Sequence, residues 1–146
     1  VKVLAIDYGT KRIGVAVSDP DGIFALALRP IQADSPDRAL EAIADRIQQE
    51  RPDRVVVGLP LRMDGTEGEA VERVRALVAE LAARVEPPID LFDERLTSAE
   101  ARGRLRGVGL SRRRKRAAVN TVSAQIILQS YLDARRARDY NESERP

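Results

Sequence analysis

The run Val55-Val56-Val57-Gly58-Leu59 constrains this chain more than any other stretch. It is apolar without alternation, so a strand built from it must be covered on both faces, as in the interior of a parallel sheet. The flanking segments can supply that cover. Upstream, Ser35-Pro36 offers an N-cap followed by proline at the first helical position. Leu40, Ile43, Ala44 and Ile47 then form an apolar stripe at helical spacing that stops before Arg51-Pro52. Downstream, beyond a loop from Pro60 to Gly68 that contains Asp64-Gly65, residues Val71, Val74, Leu77, Val78 and Leu81 trace a second helical stripe.

The remaining segments extend this sheet. Val3-Leu4-Ala5-Ile6-Asp7 is a short apolar strand ending on an acid, and the turn Tyr8-Gly9-Thr10 leads to a second strand, Ile13 to Ser18, as a hairpin. A third strand is expected from Ile23 to Ile31, after the turn Asp21-Gly22. After Pro87-Pro88, Ile89 to Phe92 reads as the fifth strand and runs into Asp93-Glu94-Arg95. Thr97 or Ser98 can cap a further helix, weakened by Gly103, Gly107 and Gly109. Residues 111–116 read as a solvated basic loop, and a final helix is expected from about Arg116 to Arg136. The order βββαβαβαα implies an α/β fold: a mixed five-stranded sheet, order 3-2-1-4-5 with strand 2 antiparallel, flanked by helices. That is the arrangement of a ribonuclease H-like domain. It would occupy residues 1–136 as a single unit, followed by a polar, frayed tail over 137–146.

Two absences narrow the chemistry. The chain has no His and no Cys, which excludes Ser-His-Asp and Cys-His machinery and Cys/His zinc sites. Hydrolysis would have to rely on carboxylates, hydroxyls, Lys/Arg or hard cations. With two Phe and no Trp, there is little from which to build an aromatic base-stacking platform. The net charge of +2 conceals an uneven distribution. Residues 1–94 hold 12 basic and 18 acidic side chains, whereas residues 95–116 hold nine Arg/Lys against the single acid Glu100. Such a segregated cationic block points to a polyanionic partner.

In open α/β sheets the functional crevice lies beyond the carboxyl ends of the parallel strands. Asp7 and Glu94 both fall at such ends. Carboxylate oxygens suit Mg²⁺ or Mn²⁺, and a pair of such ions can stabilise both oxygens of a phosphodiester displacement. Each acid taken alone can equally be a turn residue or an N-cap; the basic block favours the metal-binding reading.

The stretch from Val3 to Asp19, VLAIDYGTKRIGVAVSD, resembles the opening signature of the YqgF/RuvX family. Three further blocks resemble it in the same order: Gly58-Leu59-Pro60 with Asp64-Gly65-Thr66, the run Asp93 to Ala101, and the run Ser123 to Leu132. The resemblance spans residues 2 to about 133. It implies a ribonuclease H-like, divalent-metal-dependent nuclease, with two roles assigned to the family: maturation of the 5′ end of pre-16S rRNA and resolution of Holliday junctions. Asp7 and Glu94 would be two of its metal carboxylates. The third family acid lies four residues before the position of Ala124, where this chain has Asn120. An Asn amide can offer a carbonyl oxygen but no negative charge, so metal binding and activity should be weakened. The substitution can be an inactivating replacement made by design or a natural departure.

For nucleic-acid contacts, Arg102, Arg104, Arg106, Arg112, Arg113, Arg114, Lys115 and Arg116 form the main cationic set. They would bind phosphates, giving structure-selective binding with a steep salt dependence. Thr10, Lys11 and Arg12 beside Asp7, and Arg95 beside Glu94, can hold a scissile phosphate or be ordinary polar turn residues. The loop around Asp64-Gly65-Thr66 is expected to be mobile and near substrate. The partner would be branched DNA, precursor rRNA or both, and junction resolution, with its two coordinated cuts, favours a homodimer. No apolar run approaches membrane-spanning length and no signal-peptide pattern opens the chain, so a cytoplasmic location is expected. Two other readings compete. An actin-like or sugar-kinase ATPase also opens with Asp-x-Gly-Thr but needs two such domains, and a nucleic-acid-binding scaffold could have lost catalysis with Asn120 as its trace.

Overall fold

The computed structural model describes residues 1–97 and 112–144, with the side chains of residues 112–122 outside the described set. Strands β1 (Val3–Tyr8), β5 (Arg54–Leu59) and β6 (Ile89–Asp93) are parallel neighbours, with Ile6 opposite Val57 and Gly58 opposite Phe92. Strand β2 (Arg12–Ser18) returns antiparallel beside β1. Two short strands, β3 (Ala25–Ala27) and β4 (Ile31–Gln32), both pair with β2. The lateral order is therefore the expected one. The expected third strand, Ile23 to Ile31, is however split into two, making six strands rather than five. Pro30 accounts for the split: it has no N–H to donate and restricts Arg29 before it.

Helices cover both faces. Helix α1 (Pro36–Glu50) starts on Ser35, whose hydroxyl accepts from the Arg38 amide at 3.2 Å, and ends at Arg51 in the left-handed region. Helix α2 (Glu69–Ala82) starts at Gly68, with Glu69 and Glu72 in its first turn opposing the positive end of the helix dipole. These two helices bury Leu40, Ile43, Ile47, Val71, Val74 and Leu81 against Leu4, Ile6, Val15, Val55 and Val57. On the opposite face Ala124, Leu128 and Leu132 of helix α3 (Arg112–Ser143) pack on Val3, Ala5, Ala16 and Val56. β5 is thus buried on both sides, as its unbroken apolar run requires.

Helix α3 is longer than expected at both ends. Residues 112–116, read as a loop, belong to its backbone, and it continues through 137–143, read as a frayed tail. Arg, Lys, Ala and Leu are strong helix formers, and charge alone does not oppose a helix. A single turn, Glu94–Leu96, capped by Asp93, precedes Thr97, which is in extended backbone; the helix expected after Thr97 lies outside the described residues. No helix among the described residues is long and apolar enough to cross a membrane.

Candidate active site

Asp7 and Glu94 meet at the carboxyl edge of the sheet, and strand alternation explains why. Along β1, Val3 and Ala5 face α3, so Asp7 does too. Along β5, Val56 faces α3, so Gly58 does as well. Phe92 packs on that same core, and Glu94 follows it two residues on. Asp7 and Glu94 thus reach toward one another from strands on either side of Gly58. A Cβ on Gly58 would lie 2.5 Å from Glu94 Oε1 and 2.7 Å from Ile127 Cδ1, so the space for the Glu94 carboxyl exists because position 58 has no side chain. The sequence signal was a glycine inside an apolar strand, which marks close approach of another group.

The two carboxyls lie within interaction range of each other, so their joint ionisation is disfavoured. Burial pushes the Asp7 carboxyl up, against a smaller lowering by the hydrogen bond with Glu94. Glu94 is pushed up to about 7, first by burial, then by the Asp7 charge and shared hydrogen bond, and last by Asp93. Two half-buried acids that resist joint ionisation form a site with an unmet demand for positive charge. They line an open pocket of about 190 Å³ with Thr97, Ser123, Ile126 and Ile127. Sequence reading had missed Thr97 and Ser123 as site residues; the single turn after Glu94 places Thr97 there, and the docking of α3 brings in Ser123. Asn120 lies on the α3 backbone one turn before Ser123, and its side chain falls outside the described set. Among the described residues no group of three or more acids, His or Cys is gathered as a metal cluster.

The other expected site residues are distributed around this pair. Thr10 and Lys11 line a depression with Ser35, Pro36 and Arg73 near the start of α1, outside the Asp7–Glu94 pocket. Lys11 and Arg12 border a second one with Asp34 and Arg38. Arg95 is engaged by Asp93: its Nε donates at 3.1 Å to both carboxylate oxygens and its Nη2 at 2.7 Å to Oδ2. Its other side meets the loop after β5. A Cβ on Gly65 (φ +85°) would stand 3.3 Å from Arg95 Nη1. That loop is closed by turn hydrogen bonds: Gly65 N donates to Arg62 O at 2.8 Å, and Asp64 Oδ1 accepts from Thr66 N and Oγ1 at 2.9 and 2.6 Å. It approaches the site's edge only through the Arg95 side chain. Arg102, Arg104 and Arg106 lie outside the described residues, as do the side chains of Arg112, Arg113, Arg114, Lys115 and Arg116.

Known proteins resemble this chain in both sequence and fold. The RuvX family, described as Holliday junction resolvases, matches residues 1–134. A protein of Chloroflexus aurantiacus named "Putative pre-16S rRNA nuclease" is 44% identical over 144 residues, covering 99% of this chain and 94% of its own length. A protein of the same name from Maridesulfovibrio salexigens is 39% identical, covering 90% of this chain and 98% of its own. Among solved structures, Thermus thermophilus RuvC in complex with a Holliday junction superposes with a TM-score of 0.62 at 16% identity, over 92% of this chain and 95% of that one. The Fowlpox virus resolvase with its junction DNA gives 0.57 at 10% identity, over 92% and 98%. These two similarities show a common fold.

Proposed function

Because the chain belongs to the RuvX family of Holliday junction resolvases, we propose that it is a divalent-metal-dependent nuclease hydrolysing phosphodiesters in structured nucleic acid, with precursor 16S rRNA as its principal substrate. The observation that carries the reading is the carboxyl pair Asp7–Glu94, meeting across Gly58 at the sheet's carboxyl edge. A pair of hard oxygen donors, half-buried and disfavoured from ionising together, fits Mg²⁺ or Mn²⁺. Asp7 and Glu94 would hold the cation, with position 120 one turn before Ser123 on α3 as the third corner. When bound, such an ion supplies Lewis acidity toward the phosphodiester. With a cation present, Glu94 would serve as a charged oxygen ligand beside Asp7. Lys11, Arg12 and the cationic run 102–116 would hold the flanking phosphates, while Thr10 offers a neutral hydroxyl.

The choice of rRNA rests on relatives of that name at 39–44% identity over nearly the whole chain, and it carries a cytoplasmic site of action with it. The family description favours a second substrate, four-way DNA junctions, whose paired cuts would take two copies of the chain.

Asn120 supplies an oxygen without charge, so this chain should bind its substrate better than it cuts it. The test is Mn²⁺-dependent cleavage of a precursor 16S rRNA fragment and of a four-way junction, by this chain and by Asn120→Asp. The carboxylate should raise the rate at least tenfold on the preferred substrate. Binding without cleavage by both proteins would sink the nuclease reading in favour of a scaffold. An equal rate for both would remove position 120 from the metal site.

A further inference from the structure

Strand β3 is three residues long and ends the sheet on one side, with β2 as its neighbour. Its bonds toward β2 include Phe24 O, which accepts from Asp19 N at 3.1 Å, and Leu28 N, which donates to Val15 O at 2.9 Å. By the alternation of an antiparallel ladder, the N–H and C=O of Ala25 then point to the open edge. Two glutamines of α3 take them. Gln129 Oε1 accepts from Ala25 N at 3.0 Å, and Gln125 Nε2 donates to Ala25 O at 3.0 Å. Gln129 Nε2 also donates to Ile23 O at 2.9 Å and to Asp133 Oδ1 at 3.1 Å. Spaced four apart, the two amides share one face of the helix and bond this edge as a further strand would.

This pairing is directional, whereas the apolar seat of the helix is not. Ala124, Leu128 and Leu132 hold α3 down on the sheet by burial, which opposes lifting more than sliding or turning. A second directional tie, from the Tyr131 hydroxyl to Asp90 at 2.6 Å, secures the β6 side. Near the carboxyl pair the tolerance is small. Ser123 and Ile127, which line that pocket, stand two residues to either side of Gln125. Ile127 Cδ1 lies 2.7 Å from where a Cβ on Gly58 would be, against the space that holds the Glu94 carboxyl. A slip of one residue moves a helix by about 1.5 Å and turns it by about 100°, which would withdraw both side chains.

We propose that Gln125 and Gln129 are positioning residues: their clamp on the β3 edge sets the register of α3, and through it the wall that Ser123 and Ile127 give the carboxyl pair. The inference rests on the metal-binding reading above, and two measurements on the full chain separate them. The first reads the clamp alone. The chain has no Cys, so Ser130→Cys places a single thiol on α3 at a position 6% exposed. Labelling by a thiol reagent should be slow. Gln125→Glu/Gln129→Glu keeps side-chain size but sets oxygens against the carbonyls of Ala25 and Ile23. It should speed labelling about tenfold, the worth of one to two hydrogen bonds. The second measurement is Mn²⁺ affinity by calorimetry. The same double variant should weaken it about tenfold, as loss of a supporting contact does. Two added negative charges would by themselves strengthen it, so the sign is diagnostic. The neutral pair Gln125→Met/Gln129→Met should shift both readouts in the same directions. Ile43→Val, in the core of the opposite face, controls for lost stability and should leave both unchanged. Unchanged labelling in the Gln variants overturns the clamp. Faster labelling with unaltered Mn²⁺ affinity overturns the positioning role while the metal-binding reading stands. If the parent itself takes up no Mn²⁺, the metal-binding reading falls and the positioning role with it.

Discussion

At the scale of single residues, Glu94 couples stability to pH in a sense opposite to that of most surface acids. Its carboxyl is pushed up to about 7, so folding favours the protonated form. The stability this confers is complete below the unfolded value, about 4.3 for Glu, and is lost as pH rises through about 7. Asp7, also raised, acts in the same sense. The metal-free protein should therefore melt at a lower temperature at pH 8 than at pH 6. Glu94→Gln, which cannot ionise, should flatten that difference, and Mn²⁺ should restore the parent at pH 8 by offsetting the two carboxylate charges. Thermal melts in EDTA across pH 5 to 8 check this; parallel profiles for parent and variant would refute the coupling. Asp90 behaves in the opposite way. Burial works to raise it, but the Tyr131 hydroxyl and the Arg54 guanidinium, at 2.6 and 2.8 Å, prevail and hold it below the usual range. That contribution is present at neutral pH and is lost as pH falls.

At the scale of elements, the site is a property of three strands rather than of the two acids. β1 and β6 deliver Asp7 and Glu94, and β5 leaves the room between them at Gly58. Gly58→Ala should force Glu94 and Ile127 apart, costing about 1–3 kcal/mol of stability, as overpacking does. It should also weaken Mn²⁺ binding at least tenfold while the helical and sheet signals persist. Calorimetric titration with Mn²⁺ beside circular dichroism decides it, and unaltered affinity would mean the carboxyl pair tolerates displacement. The same three strands mark how far the sequence could be read. Strands ending on Asp7 and before Glu94 were legible because apolar runs and turn residues are local signals, and Ser35-Pro36 announced α1 for the same reason. Gly58 inside an apolar strand could signal only that some group comes close; that the group is the Glu94 carboxyl needed the register across β1, β5 and β6. The pairing of Arg95 with Asp93 and its approach to the 60–68 loop were not legible, because both are three-dimensional facts. The start of α3 was misplaced because a dense run of arginines looks like a solvated loop, although each is a good helix former.

At the scale of the whole molecule, charge is partitioned as strongly as the secondary structure is ordered. The sheet and its two covering helices fall within residues 1–94, where acids outnumber bases 18 to 12, and nine cations are gathered in residues 95–116. An acidic body would repel a nucleic acid, so on the proposed nuclease reading binding would be steered through that cationic segment, and the carboxyl pair would receive a phosphate only once a cation offsets its charge. Replacing Arg112, Arg113, Arg114, Lys115 and Arg116 together by Gln keeps helix propensity and removes five charges. For every phosphate that is no longer neutralised, the slope of log affinity against log salt should fall by about 0.9 on duplex DNA or about 0.7 on a single strand. The weakening should be uniform across sequences, since phosphate contacts carry no base information. Binding isotherms for parent and variant at several salt concentrations, on unrelated sequences of one shape, measure both quantities. A variant with the parent's slope would show that the segment stays clear of the phosphates, and the steering would then fall to Lys11, Arg12 and Arg73 at the sheet's carboxyl edge.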